Sequence, residues 1–134
     1  MDRGKKRILV VDDARNIRRS FCRMLELYGY QTDEAATGEE ALEKVENENI
    51  ALILMDVVMP GMGGIEAARK MKEKFRHRPI ILMSAYDDAH AAQAGYSEGA
   101  WTFLKKPIEE TELVSGLSRA LNGECDSGMC GEPV

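Results

Sequence analysis

The sequence predicts an α/β fold in which a doubly wound, five-stranded parallel sheet is covered by helices on both faces. Segments with strand character alternate with segments of helical periodicity five times along the chain, and this alternation is typical of parallel sheets. Three of the strand segments are almost entirely apolar, as expected of strands buried on both faces. The 134 residues, 44% of them hydrophobic and 31% charged, suffice for one domain with one core.

The first three elements are a strand, a helix and a weaker strand. Arg7–Val11 is a short run rich in β-branched residues, which predicts the first strand. Residues 14–28 carry apolar side chains at helical spacing, and Gly29 is expected to end that helix. Cys22, inside the helix, is expected to be a small apolar residue that is buried or half-buried. Residues 30–35 interleave polar and apolar side chains, which indicates an edge strand.

The middle of the chain continues the alternation. Thr37 and Glu40 have the spacing of a capping box, so a helix is expected to begin there. Residues 51–55 form the most apolar strand segment, and residues 64–75 place apolar side chains on one helical face.

The last two units repeat the pattern. Residues 79–83 are a uniformly apolar strand segment, followed by an alanine-rich helix predicted over 88–98. Residues 101–104 are predicted as the fifth strand and 109–121 as the fifth helix. Five β–α units in one open sheet correspond to a (βα)5, flavodoxin-like arrangement.

Composition excludes several classes of protein. The net charge of -5 gives no support for nucleic-acid binding, and no segment is long enough to cross a membrane. Three irregularly spaced cysteines do not form a disulfide framework, which favours a cytoplasmic location. We expect one domain over residues 1–122 and a flexible tail over 123–134, in which the role of Cys125 and Cys130 stays open.

Polar side chains follow four of the five predicted strands. In such sheets, ligands bind outside the carboxyl ends of the strands, where the strand order reverses. The second strand is followed only by alanines, which fits an edge position and the strand order 2-1-3-4-5. The polar residues at the other strand ends are Asp12, Asp13, Asp56, Ser84, Lys105 and Lys106.

The three carboxylates predict a cation site. Asp12, Asp13 and Asp56 would repel one another at one edge of the sheet, and that repulsion would raise their pKa values. Oxygen ligands of this kind suit Mg²⁺, which binds through one or two carboxylates together with a phosphate. The predicted edge is therefore suited to a phosphoryl group.

Four stretches resemble the receiver domain of two-component response regulators, the CheY-like superfamily. They occur in the order and spacing of that family, and the resemblance covers about residues 6–122. The stretches are ILVVDDARNIR, LILMDVVMPGMGGIE, IILMSAY and GAWTFLKKPI.

The resemblance implies a role for each acidic residue. Asp56 would be the nucleophile that accepts a phosphoryl group and becomes an aspartyl phosphate. Asp12, Asp13, Asp56 and the backbone carbonyl of Val58 would bind Mg²⁺.

The resemblance also assigns roles near the fourth and fifth strands. Ser84 would donate its hydroxyl to the phosphoryl group, and Lys106 would pair with a phosphoryl oxygen. Phe103 matches the aromatic switch position, whose ring turns inward when Ser84 moves. The Lys106–Pro107 peptide bond is expected to be cis.

Some positions depart from the family pattern or vary within it. Gly63 replaces a frequent aspartate, which is expected to loosen the loop after Asp56 without loss of chemistry. Val58 and Tyr86 cannot easily orient an attacking water, so we expect slow self-dephosphorylation. Phe103 lacks the hydroxyl of a tyrosine.

The resemblance implies a signalling switch, with the alanine-rich helix over 88–98 and the fifth strand as the moving element. Its partners would be a sensor histidine kinase or phosphotransfer protein, and a downstream output protein or a C-terminal output domain. An alternative is an aspartate-based, Mg²⁺-dependent phosphatase. Many such enzymes carry a second acid where this chain has Val58, which disfavours that alternative. The cognate kinase, the output partner and the oligomeric state stay open.

Overall fold

The computed structural model describes residues 6–47, 49–75, 78–85 and 100–123. Three sequence predictions fall outside these residues: the helix over 88–98, the role of Tyr86, and the tail after residue 123 with its two cysteines. The division into a domain over 1–122 and a tail over 123–134 therefore stays a prediction.

Five strands form one parallel sheet in the order β2-β1-β3-β4-β5, which confirms the predicted fold class and strand order. In this order β2 is an edge strand, as its interleaved polar residues indicated. The strands are β1 (Arg7–Val11), β2 (Gln31–Ala35), β3 (Leu52–Asp56), β4 (Ile80–Ser84) and β5 (Thr102–Lys105).

Four helices are present in the part of the chain that the structure describes, and they cover both faces of the sheet. They are α1 (Arg15–Leu27), α2 (Gly38–Asn47), α3 (Gly64–Lys74) and α4 (Glu110–Leu121). None of these helices is long and apolar enough to cross a membrane.

The sheet separates two apolar clusters because the side chains of each strand alternate between its faces. One cluster packs β1, β3 and β4 against Cys22 and Leu25 of α1 and Leu113 and Leu117 of α4. This confirms the prediction that Cys22 is buried. The other cluster packs the opposite side chains of the same strands against α2 and α3.

The ends of the helices follow from their capping residues. Gly29 has a φ of 94°, a conformation that glycine adopts without a steric penalty, and it ends α1 as predicted. At the start of α2, the backbone N–H of Glu40 donates to Thr37 Oγ1 at 3.0 Å. The Glu40 carboxylate accepts from the backbone N–H of Ala36 at 2.9 Å. The reciprocal bond of the capping box therefore reaches one residue further back than expected.

Three strands end one residue later than the sequence predicted. β3 includes Asp56 and β4 includes Ser84, whereas both residues were placed just after their strands. The fifth strand likewise includes Lys105. The reason is that ladder pairing continues to the rim of the sheet: Asp56 pairs with Met83 and Ser84 pairs with Lys105.

Candidate functional site

The carboxyl ends of the central strands bring the predicted polar residues to one edge of the sheet. Asp12 directly follows β1, Asp56 is the last residue of β3 and Ser84 is the last residue of β4. Since β1, β3 and β4 are neighbours in the sheet, these three residues occupy adjacent positions along that edge. Lys106 directly follows β5 and reaches back toward the acids from the far side.

Three carboxylates form one cluster at this edge. One oxygen each of Asp12, Asp13 and Asp56 lies within 4.8 Å of the others. Asp12 and Asp56 are buried, with 1% and 8% of their surface exposed, whereas Asp13 is exposed. The cluster is therefore open to solvent at Asp13 and closed at the two central acids.

Lys106 is the cation beside this cluster. Its Nζ lies 3.0 Å from Asp12 Oδ2 and 3.5 Å from Asp56 Oδ1. Among the ion pairs of the described residues, this one lysine faces three carboxylates, so the cluster carries more negative than positive charge. Carboxylate oxygens with uncompensated charge are suitable ligands for a hard divalent cation such as Mg²⁺.

Burial is the largest cause of the raised pKa of Asp56. Loss of solvation raises the pKa of its carboxyl group, and the charges of Asp12 and Asp13 raise it further, while Lys106 acts in the opposite direction. The sequence predicted a raised pKa from repulsion among the acids. For Asp56 the direction is as predicted, but desolvation contributes more than repulsion.

Hydrogen bonds hold Asp12 in place. Its Oδ1 accepts from the backbone N–H of Ala14 at 3.0 Å. Its backbone N–H donates to the carbonyl of Ala35 on β2 at 3.2 Å. Its carbonyl oxygen accepts from Arg18 Nη1 at 2.8 Å. Together with the contact from Lys106, these bonds engage all four polar atoms of the residue.

The loop after Asp56 packs closely on the start of α3. The backbone N–H of Gly64 donates to the carbonyl of Val57 at 2.9 Å. A Cβ at residue 64 would overlap the carbonyl oxygen of Asp56 and lie 2.9 Å from Val57 Cα. Glycine at this position lets the helix approach the backbone of Asp56. Val58, two residues after Asp56, is 55% exposed.

The remaining predicted residues lie on β4 and around β5. Ser84 is buried, and its carbonyl accepts from the backbone N–H of Lys106 at 2.7 Å. Phe103 is partly buried against the apolar cluster of α2 and α3. Lys105 is exposed, and the Lys106–Pro107 peptide bond is cis.

The sequence matches the response regulator receiver domain over residues 8–118. The chain belongs to this family. It is 40% identical to the transcriptional regulatory protein ResD of Bacillus subtilis over 111 residues, which are 83% of this chain and 46% of ResD. Receiver domains of response regulators are phosphoacceptors in signalling, so the phosphatase alternative is not favoured.

Solved receiver domains have the same fold. A CheY-like receiver domain protein of Methanospirillum hungatei superposes with a TM-score of 0.85 at 32% identity, covering 88% of this chain and 94% of that one. The response regulator TrrA of Thermotoga maritima, solved in complex with Mg²⁺-BeF, has a TM-score of 0.80 at 35% identity. That comparison covers 87% of this chain and 99% of TrrA. The chain spans about half the length of the curated relatives it matches.

Two residues with contacts close to the site were not found from the sequence. Arg18 contacts the backbone of Asp12, and Glu34 on β2 holds Arg18. One signal was available: Arg18 precedes the buried Cys22 and Leu25 by four and seven positions, so it lies on the buried face of α1. A charged residue on that face needs a partner.

Proposed function

We propose that Asp56 accepts a phosphoryl group from a phosphohistidine of a sensor kinase or phosphotransfer protein. The observation that carries this proposal is the cluster of Asp12, Asp13 and Asp56 beside Lys106 at the carboxyl edge of the sheet. Membership in the receiver family supports it. The individual roles of these residues are part of the proposal.

The reaction transfers the phosphoryl group between two side chains. A carboxylate oxygen of Asp56 attacks phosphorus and forms an O–P bond, while the bond from phosphorus to the histidine nitrogen breaks. The electron pair of that bond leaves with the imidazole, which then takes up a proton. Burial removes water from the carboxylate of Asp56, which raises its pKa and leaves the nucleophilic oxygen less solvated.

A divalent cation fits the donor set. The three carboxylates offer hard oxygen ligands within 4.8 Å of one another, and exposed Asp13 gives the ion access from solvent. Mg²⁺ held by these residues would supply positive charge to offset the negative charge of the phosphoryl oxygens. The Mg²⁺-BeF complex of TrrA, a relative, supports this choice of ion. A ligand role for the Val58 carbonyl stays a prediction.

The side chains around Asp56 stabilise the product. Lys106 can pair with a phosphoryl oxygen because its Nζ already lies 3.5 Å from Asp56 Oδ1. Ser84 lies at the end of the neighbouring strand, within the same edge. We propose that Ser84 donates its hydroxyl to the phosphoryl group and that the ring of Phe103 responds to its movement.

The output of the switch is a change in binding to another protein or to an attached output domain. Phosphorylation adds negative charge and three acceptor oxygens at an edge that is already acidic. The proposal includes Mg²⁺-dependent self-phosphorylation from small phosphodonors, slow self-dephosphorylation and a cytoplasmic location.

The test is intact mass spectrometry after incubation with Mg²⁺ and acetyl phosphate. The wild type is compared with Asp56→Asn and with Asp33→Asn, a control that removes a carboxylate paired with Lys44 outside the cluster. We expect one phosphoryl group on the wild type and on the control, and none on Asp56→Asn. Mild alkali should remove the added mass, since an acyl phosphate hydrolyses readily.

The other outcomes are informative. A phosphoryl group on Asp56→Asn would show that another residue is an acceptor. No phosphoryl group on the wild type, from acetyl phosphate or from purified phosphohistidine proteins, would contradict the proposal. Turnover of a generic phosphate ester would instead favour the phosphatase alternative.

A further inference from the structure

We propose that Arg18 is a positioning residue for the acidic pair: through the carbonyl of Asp12 it fixes the turn that presents Asp12 and Asp13 to the cation. The functional part of this inference rests on the function proposed above. It concerns a residue that does not itself belong to the acidic cluster or contact the phosphoacceptor in the described structure.

The guanidinium of Arg18 spans two elements. Its Nη1 donates to the carbonyl oxygen of Asp12 at 2.8 Å, and its Nε donates to Glu34 Oε1 at 2.8 Å. Only 13% of its side chain is exposed. Because the guanidinium is planar and its donors point in set directions, a group held on one side fixes the direction of the bond on the other.

Glu34 anchors this arginine. It lies on edge strand β2, paired with Val10 of β1, so its backbone position is set by the sheet. Its other oxygen, Oε2, accepts from Arg19 Nη1 at 2.7 Å. The hydrogen bond from Arg18 is the largest cause of the lowered pKa of Glu34. Glu34 is therefore a charged anchor at neutral pH.

The bond to Asp12 acts on Asp13 as well. The carbonyl of Asp12 belongs to the peptide group that links Asp12 to Asp13, so a donor on that oxygen restrains the orientation of the whole peptide plane. Asp13 is exposed, and no hydrogen bond within the described residues holds its carboxylate, so the position of that group depends on its own backbone. Holding that peptide plane thus places two of the three candidate ligands.

Arg19 provides a matched control. It follows Arg18 in the sequence and binds the same glutamate, but its side chain is 51% exposed. Its hydrogen bond within the described residues goes to Glu34 and not to the backbone of Asp12. A role in joining α1 to β2 would be shared by both arginines. A role in positioning the acidic pair belongs to Arg18 only.

The experiment uses the full chain with Arg18→Met, Arg18→Lys and Arg19→Met. The first readout is the amide resonance of Asp13 in metal-free protein, because that N–H shares its peptide group with the Asp12 carbonyl. The second is the Mg²⁺ dissociation constant from a titration. The third is the midpoint of thermal unfolding, which reports stability separately.

We expect Arg18→Met to move the Asp13 resonance and weaken Mg²⁺ binding about tenfold or more, the usual cost of removing a group that orients a metal ligand. Arg19→Met should leave both unchanged within error. Arg18→Lys should fall between, since an ammonium can bind one of the two oxygens but lacks the planar fork. If Arg18→Met does not fold, Arg18→Lys is compared with Arg19→Met. Weaker Mg²⁺ binding and a moved Asp13 resonance in Arg18→Lys alone would support the inference, and equal behaviour of the two variants would contradict it.

Three results would overturn the inference. Arg18→Met could leave the Asp13 resonance and Mg²⁺ affinity unchanged, or Arg19→Met could weaken Mg²⁺ binding equally. In both cases the proposed function would stand if wild-type protein still accepted a phosphoryl group. A wild-type chain without Mg²⁺ affinity would overturn the proposed function and the functional role of Arg18 together.

Discussion

Replacing Gly64 by alanine is expected to destabilise the chain and to displace Asp56. A Cβ at this position would overlap the carbonyl oxygen of Asp56 and lie 2.9 Å from Val57 Cα and 3.0 Å from the Asp56 carbonyl carbon. All three are backbone atoms, which cannot relieve the clash by rotating a side chain. Either α3 must move away from the sheet or the end of β3 must shift.

The magnitude follows from two opposing terms. Overpacking in a well-packed interior costs about 1–3 kcal/mol, and contact with backbone places this site at the upper end. Alanine in place of glycine in a helix recovers up to about 1 kcal/mol, but Gly64 is the first residue of α3, where the gain is smallest. We expect a net loss of about 2 kcal/mol, or about 6–10 °C in the thermal midpoint for a domain of this size.

Gly116 is the matched control. It is a buried glycine within α4, and a Cβ built there meets no atom of the described residues within 4 Å beyond its own stretch of helix. Gly116→Ala should therefore stabilise the chain by about 0.5–1 kcal/mol through helix propensity alone. The same substitution is expected to have opposite signs at two helical glycines.

The assay combines thermal unfolding followed by circular dichroism with the rate of phosphorylation by acetyl phosphate. Gly64→Ala should also react more slowly, because the displaced backbone carries the nucleophile. Gly116→Ala should react at the wild-type rate. Gly64→Ala at least as stable as wild type, with Gly116→Ala stabilised as expected, would refute the steric reasoning. Equal losses in both variants would show that the contact with Asp56 is not the cause.

Four further predictions concern Asp56, Lys106, Thr37 and Val58. Burial raises the pKa of Asp56, so the native state binds more protons than the unfolded state above the ordinary aspartate pKa, and stability falls as pH rises through the raised value. Asp56→Asn should therefore stabilise the metal-free chain in urea unfolding at pH 7 but not below about pH 3.9; an equal gain at both values would contradict this. Lys106→Met should cost about 2–4 kcal/mol without Mg²⁺, because it leaves buried carboxylates unpaired. Added Mg²⁺ should recover part of that loss in thermal unfolding, and an identical loss with and without the ion would count against the cluster as its cause. Thr37→Ala should cost about 1 kcal/mol in urea unfolding through loss of the bond to Glu40, and no measurable cost would show that the hydroxyl does not cap α2. Val58→Asn should lose the phosphoryl group faster than the wild type, because a polar side chain can orient water, and intact mass measures that loss. A half-life of seconds for the phosphorylated wild type would contradict slow self-dephosphorylation.

Strand positions and the identity of the acids could be predicted because they depend on local pattern. The apolar run of β3 marks a strand buried on both faces, and the polar side chains of β2 mark an edge. The last residues of β3, β4 and β5 were predicted wrongly, since each strand ends one residue later than expected. Asp56 and Ser84 look like loop residues by polarity, yet ladder pairing with neighbouring strands keeps them in the sheet.

The functional lysine near the end of the fifth strand could not be identified from residue types. Nothing in the residue types separates Lys105 from Lys106, and only the family resemblance favoured the second. In the structure, Lys105 is exposed at the end of β5, while Lys106 reaches Asp12 and Asp56. Adjacent residues point in different directions where a strand ends, and that difference places one ammonium in the cluster.

The fold class, the edge position of the second strand and the carboxylates at the strand ends could be predicted from the sequence, because these follow from hydrophobic periodicity and the polarity of each segment. Three features required the folded structure: desolvation contributes more than repulsion to the raised pKa of Asp56, Gly64 must lack a side chain, and Arg18 of α1 holds Asp12. Each depends on the distance between groups far apart in the chain or on the solvent excluded between packed elements. These distances and the exclusion of solvent are set by how the helices pack on the sheet, and no local pattern of residues encodes them.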